Sequence, residues 1–254
     1  ISQVLAAALV CITLIRETDA THLDLRKLHI DCSMALEIIR IGVPAGLQGM
    51  AFSLSNVVVQ SSINSFGSSV IVAGNSASNN IENFVYIGMS AFTQACITFT
   101  SQNVGAKNLR RVKSIFNHSM VLTTLSAMLM GFLVWFFGEF LLSFYTNDPA
   151  VVEAGMLRLF WVSMFLFLNG VLDVFVSSMR GMGYSSLPTI VMLAGICGVR
   201  LIWLLLIFPL HRTLVTIYLC FPLSWTITSI VLGFIWLYCY RHMMRTNGEQ
   251  AEAN

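Results

Sequence analysis

Residues 88–113 read GMSAFTQACITFTSQNVGAKNLRRVK. An apolar run carrying small and hydroxylic residues passes directly into Lys107, Arg110, Arg111 and Lys113, the densest basic cluster of the chain. A membrane helix ending on the cytoplasmic face has this form, because Lys and Arg are retained on that side. The rest of the chain can be oriented from this junction.

Composition supports the membrane reading. Of 254 residues 56% are hydrophobic and 10% charged, against about 25% charged in a soluble domain. The formal net charge of +2 is too small to suggest a nucleic-acid partner. Six Cys show no CxxC spacing and lie mostly in apolar stretches, so they read as small hydrophobes rather than a disulfide frame or zinc site. The apolar runs are about 20 residues long without strict alternation, which fits a helical bundle and not a lipid-embedded barrel.

Upstream of the junction, residues 1–15 are apolar and stop at Arg16, with neither a basic leader nor an AxA-like cleavage site. They read as the end of a spanning helix in a fragment of a longer protein. Residues 16–37 hold a run of charge and read as a linker ending in an amphipathic lead-in along the membrane surface. The first complete span is 38–63, where Gln48 and Ser53 are followed by Asn56, Gln60 and Asn64 at four-residue spacing, giving one polar helix face. The next apolar run, 70–100, exceeds the ~20 residues one crossing needs. It carries Asn75, Asn79, Asn80, Glu82 and Asn83, then Gln94 and Thr98. Glu82 either caps a helix at the interface or stands in a water-lined cavity.

Downstream, spans are expected at 112–137, 156–179, 187–208 and 215–240. Asn147-Asp148-Pro149 reads as a helix start. Residues 241–254 form a polar tail whose end, from 246, is expected to be disordered. Arg16, Arg26, Lys27 and Arg40 precede the first complete span, the 107–113 cluster follows the second, Arg180 the fourth, and Arg241 and Arg245 the sixth. All fall on one side, which the positive-inside rule makes cytoplasmic; Arg212 is the only Lys or Arg in the opposite loops. Arg158 and Arg200, near or inside spans, should snorkel or pair with polar groups.

The chemistry should lie between the helices. Asp173, in FLFLNGVLDVFVSSM at 165–179, costs about 2.5 to 3.5 kcal/mol if it faces lipid, so it should face a cavity or a partner. A carboxylate there can take up a proton or hold Na⁺ and exchange it for a cationic substrate; alternatively it pairs with Arg180 or Arg200 and only holds helices together. Asp173, Glu82, Asn56, Gln60, Asn169 and Gln48 are the candidate coupling or cavity residues, with Asp173 the possible Na⁺ contact. Five scattered His outside any HExxH pattern argue against a metal-dependent enzyme, and no filter motif suggests a channel, leaving a transporter as the favoured reading beside a channel or scaffold.

Four stretches carry a resemblance: IRIGVPAGLQ at 39–48, SQNVGAKNLRRVK at 101–113, MRGMGYSSLP at 179–188 and GVRLIWLLLIFP at 198–209. In this order and spacing the chain resembles the C-terminal half of a bacterial multidrug and toxic compound extrusion (MATE) transporter. The resemblance implies an all-α polytopic protein with twelve helices in two six-helix lobes around a cavity of alternating access. This chain would supply the end of the sixth helix (1–15), the inter-lobe linker (16–37), the second lobe (38–240) and a cytoplasmic tail (241–254). It also implies export of cationic, often aromatic compounds in exchange for Na⁺ or H⁺. No other cofactor is expected; the partners are the lipid bilayer, a cationic organic substrate and an N-terminal lobe, the full-length protein being monomeric in a bacterial cytoplasmic membrane. A flippase of a lipid-linked substrate is the alternative, disfavoured by the few basic residues inside the spans. Asn169 stands where some relatives carry a fourth-helix acid, and the first complete span has no acid in its core. Coupling therefore passes to Asp173, to Glu82 or to an acid of the other lobe.

Overall fold

The computed structural model describes residues 2–16 and 31–252, all helical apart from the connections. It divides into two units, Ile1–Arg40 and Ile41–Asn254. The first contains α1 (Ser2–Arg16), whose Val4, Leu5, Leu9 and Val10 are exposed, and the start of α2 (Cys32–Asn64). Asp31 caps α2: its Oδ1 accepts from the Ser33 hydroxyl at 2.7 Å and the Ser33 amide at 2.8 Å, which holds this carboxyl below the usual range. Residues 32–37, expected as a helical lead-in, are the first turns of α2, whereas Arg26 and Lys27 lie outside the described residues.

The second unit contains the rest of α2 and eight further α-helices. After a turn at Gly67 (φ 66°), Ser68 caps α3 (Ser69–Gly105). Lys107 adopts φ 56° in the sharp turn to α4 (Leu109–Phe136). A short α5 (Gly138–Ser143) leads to Asp148, which accepts from the Ala150 amide at 2.9 Å and opens α6 (Pro149–Arg158) with proline in its first turn. A π-helical turn, Leu159–Ser163, joins α6 to α7 (Leu166–Gly181). The crossing thus starts at Pro149 rather than near 156, because AVVEAGMLR continues helically from the Asp148 cap. Another π turn, Leu193–Gly198, joins α8 (Ser186–Met192) to α9 (Val199–Leu206), and α10 (Leu214–Glu252) closes the unit. The segment 246–252, expected to be disordered, continues α10; apart from Gly248 its residues offer nothing that stops a helix.

Among the described residues five segments are long and apolar enough to cross a membrane: 32–64, 109–136, 149–181, 186–206 and 214–245. At 37 residues α3 has the length, but it carries three Asn, Glu82 and Asn83 within two and a half turns. Exposed Phe84, Leu125, Leu129, Leu205 and Phe234 offer apolar surface to lipid. Inside, α3, α4 and α7 pack on one another, α6 lies on α3, and α10 lies on α7 and α9. Of the cysteines Cys96, Cys220 and Cys239 are buried and Cys197 is half-buried, but Cys11 and Cys32 are exposed; none forms a disulfide.

The ends of the helices fall into two groups. The Tyr184 hydroxyl and His242 Nδ1 are 2.9 Å apart, and Gly181 packs on Thr100, so the 181–185 turn, the end of α3 and the late part of α10 share one end. At the other end Arg212 donates to Ser65 Oγ at 3.4 Å.

Candidate functional site

The site begins with a close helix approach. Gly74 of α3 faces the α6 backbone so closely that a Cβ there would lie 2.7 Å from the Val151 carbonyl oxygen and 2.8 Å from the Gly155 amide. The Ser78 hydroxyl donates across the same seam to the Gly155 carbonyl at 2.9 Å. This contact brings Arg158, at the end of α6, against the polar face of α3. Its Nε donates to Glu82 Oε1 at 3.1 Å and its Nη2 to Glu82 Oε2 at 2.7 Å. Nη1 donates to Asn75 Oδ1 at 2.6 Å, and Nη2 also reaches Asn79 Oδ1 at 3.0 Å. Both charged side chains are under 10% exposed. Glu82 is therefore not an interfacial cap: it lies more than three turns into α3, at the wall of a cleft, and is held by a fork-on-fork ion pair.

The network continues to α2. Asn75 Nδ2 donates to Gln60 Oε1 at 2.9 Å, and Gln60 Nε2 to Asn64 Oδ1 at 3.0 Å. The four-residue spacing of Asn56, Gln60 and Asn64 thus supplies polar groups to two arginines. Gln60 is linked through Asn75 to Arg158, while Asn56 Oδ1 accepts from Arg200 Nη1 at 3.4 Å.

Asp173 differs from Glu82. On α7, one turn from Asn169, it accepts from Asn169 Nδ2 at 3.4 Å and has the Tyr86 hydroxyl beside it. Arg180 is its charged neighbour, yet no Lys, Arg or His nitrogen lies within 4.0 Å of its carboxylate among the described residues. Arg180 instead donates from Nη2 to Gln48 Oε1 at 2.7 Å. Arg180 was expected as a loop charge; it sits in the last turn of α7 and faces inward, its neighbour Gly181 being the end of the helix.

These groups surround one cleft of about 540 Å³. Gln48, Asn56, Gln60, Glu82, Asn169 and Asp173 all line it, with Arg158, Arg180 and Arg200. Three other polar residues of α2 and α3 do not. The Ser53 hydroxyl donates to the Gly49 carbonyl on its own helix, and the Thr98 hydroxyl donates to the backbone carbonyl of Gln94, one turn earlier on α3, both outside the cleft. Lys107, Arg110, Arg111 and Lys113 remain at the α3–α4 connection, away from it. No group of three His, Cys, Asp or Glu among the described residues could hold a metal ion.

The family profile described as MatE matches residues 44–206, more than half of the chain. This chain belongs to the MatE family. It is 27% identical over 146 residues to the probable multidrug resistance protein YpnP of Bacillus subtilis, covering 58% of this chain and 33% of that protein. It is 30% identical over 145 residues to the probable multidrug resistance protein NorM of Listeria monocytogenes, covering 57% and 32%. The matched part of the chain thus spans about a third of the length of these relatives. Among solved structures, an outward-facing multidrug resistance MATE family transporter of the MOP superfamily superposes with a TM-score of 0.83 at 14% identity, over 96% of this chain and 55% of that one. The Vibrio cholerae MATE transporter VcmN in its bent form gives 0.79 at 17% identity, over 94% and 54%. These likenesses establish the fold: a polytopic all-α protein of MATE-type architecture. This MatE chain is a bacterial multi-pass membrane protein.

Phe221 and Trp225, on α10 of the MatE chain, also line the cleft and were not singled out from the sequence. The Arg158 guanidinium lies 5.6 Å and the Arg200 guanidinium 4.3 Å from the Phe221 ring centre, so one ring contacts both cations. The sequence signals for this wall are Pro222, inside the α10 span between the two aromatics, and Ser224 beside it.

Proposed function

We propose that this chain is the C-terminal six-helix lobe of a twelve-helix secondary antiporter, not an enzyme, with α3 as the crossing beyond the five apolar ones. In this reading the protein exports lipophilic, aromatic compounds carrying positive charge, in exchange for Na⁺ or H⁺, by alternating access. The observation that carries it is the contrast between the two cleft acids. Glu82 is saturated by Arg158, whereas Asp173 stands in the same cleft with no cation within 4.0 Å among the described residues. A carboxylate in that state can bind a proton or, with the side-chain oxygen of Asn169, a Na⁺ ion, and a cationic substrate competes for the same charge. The substrate class is supported by the chain's relatives in Bacillus subtilis and Listeria monocytogenes, which are probable multidrug resistance proteins. The match to a little over half of each solved MATE chain supports a second lobe supplied by the same protein, which completes the cavity as a monomer. The positive-inside pattern supports a cytoplasmic placement of 103–113, the 180 turn and the C-terminus.

Reconstitution of the full-length protein in vesicles tests this. A fluorescent organic cation should accumulate when a Na⁺ or a pH gradient is imposed, and not when neither is present. Absence of transport under both gradients would sink the reading.

One observation favours a second reading. Flipping of a lipid-linked substrate calls for a cationic cavity, and the cleft contains Arg158, Arg180 and Arg200, more than the sequence alone placed there. Transfer of a fluorescent polyprenyl phosphate between leaflets, with no gradient-driven cation transport, would favour that reading.

A further inference from the structure

Charge within the cleft does not cancel. Glu82 is taken by Arg158, and Asp173 and Arg180 neighbour each other, which leaves Arg200. Arg200 is 3% exposed, and among the described residues no carboxylate lies within 4.0 Å of it; its charged neighbour is Arg158, of like sign. Its polar partners are neutral: Nε donates to Ser224 Oγ at 3.2 Å and Nη1 to Asn56 Oδ1 at 3.4 Å, while Nη2 donates to no acceptor among the described residues. Phe221 lies 4.3 Å and Trp225 5.9 Å from the guanidinium, fixing it by its faces and leaving its edge available. A second donor beside it is also unused, since the buried Trp225 indole N–H has no acceptor.

We propose that Arg200, Asn56 and Trp225 form an anion subsite in the cleft that takes the carboxylate of an aromatic compound. Resting on the transporter reading above, this narrows its substrates to amphoteric ones, with a cationic part toward Asp173 and an aryl carboxylate toward Arg200. A guanidinium edge matches a planar carboxylate with two parallel N–H donors, and the neighbouring rings stack on the aryl group. The same edge would also accept a phosphate headgroup, which the experiment separates.

Rhodamine 110 and rhodamine 123 share one cationic xanthene and differ in a free carboxyl against its methyl ester. Their dissociation constants are measured by fluorescence polarisation with the full-length protein in neutral-lipid nanodiscs and again with phosphatidylglycerol added. The subsite predicts that the wild type prefers rhodamine 110 at least tenfold and that Arg200→Gln removes the preference. Asn56→Asp, which offers an internal carboxylate to Arg200 at a cleft position exposed in this chain, should also remove it without emptying the core. Equal preference in wild type and both variants would overturn the subsite while leaving the transporter reading intact. A preference that vanishes only on adding phosphatidylglycerol would assign Arg200 to lipid headgroups and overturn it as well. Binding of neither dye by the wild type would overturn both readings.

Discussion

Arg158 and Glu82, 76 residues apart, meet in a two-pronged ion pair, with Nε 3.1 Å from Oε1 and Nη2 2.7 Å from Oε2. Every nitrogen of the guanidinium donates to a protein oxygen. The pair clamps α6 to α3 and, through Asn75 and Gln60, reaches α2. Asp173, by contrast, has no cation within 4.0 Å among the described residues.

Removing one partner of this pair should be costly. Glu82→Gln leaves a buried guanidinium without its counter-charge and is expected to lower stability by about 3–5 kcal/mol. Replacing both, Glu82→Gln with Arg158→Met, should cost less than the two single changes added together. Thermal unfolding of the detergent-solubilised protein, followed by size-exclusion chromatography, gives the comparison. Additive losses would show that the pair is not coupled.

The seam behind the pair is testable at Gly74. A Val side chain would meet α6 backbone atoms at 2.7–2.8 Å, with no flexible group to yield. Gly74→Val should therefore destabilise by about 1–3 kcal/mol. The same replacement at Gly46, whose Cβ would meet nothing within 4 Å, should have a far smaller effect in the same melt.

Orientation makes a separate prediction. Lys107 marks the basic α3–α4 turn, and Arg212 lies by Ser65 at the other end. In a Cys-free background, Lys107→Cys should react with a membrane-impermeant maleimide in inside-out vesicles and be protected in intact cells. Arg212→Cys should do the reverse. The opposite pattern would invert the topology.

Much of the site was legible before any coordinates because four-residue spacing in a lipid-facing composition has few explanations. Asn56, Gln60 and Asn64 had to share a face, and Asp173 had to avoid lipid. The partner of Glu82 was not legible. Arg158 comes 76 residues later on a segment that read partly as loop, and only the close approach at Gly74 brings the two together. Arg180 was misjudged for a related reason: a basic residue beside a Gly-rich turn looks like a loop charge, but its long side chain reaches back to Gln48. Polarity alone does not mark a cleft residue: Thr98 lies in the same helix as Glu82, but a hydroxyl that bonds back to its own helix needs no cavity.

The central claim, that Asp173 is the coupling carboxylate of the cleft, is tested most directly by Asp173→Asn in the full-length protein. The measurement is gradient-driven transport of a fluorescent organic cation in vesicles holding equal amounts of wild-type and variant protein. The account predicts that transport is abolished although the variant reaches the membrane at normal abundance. Unchanged transport at that abundance would contradict it.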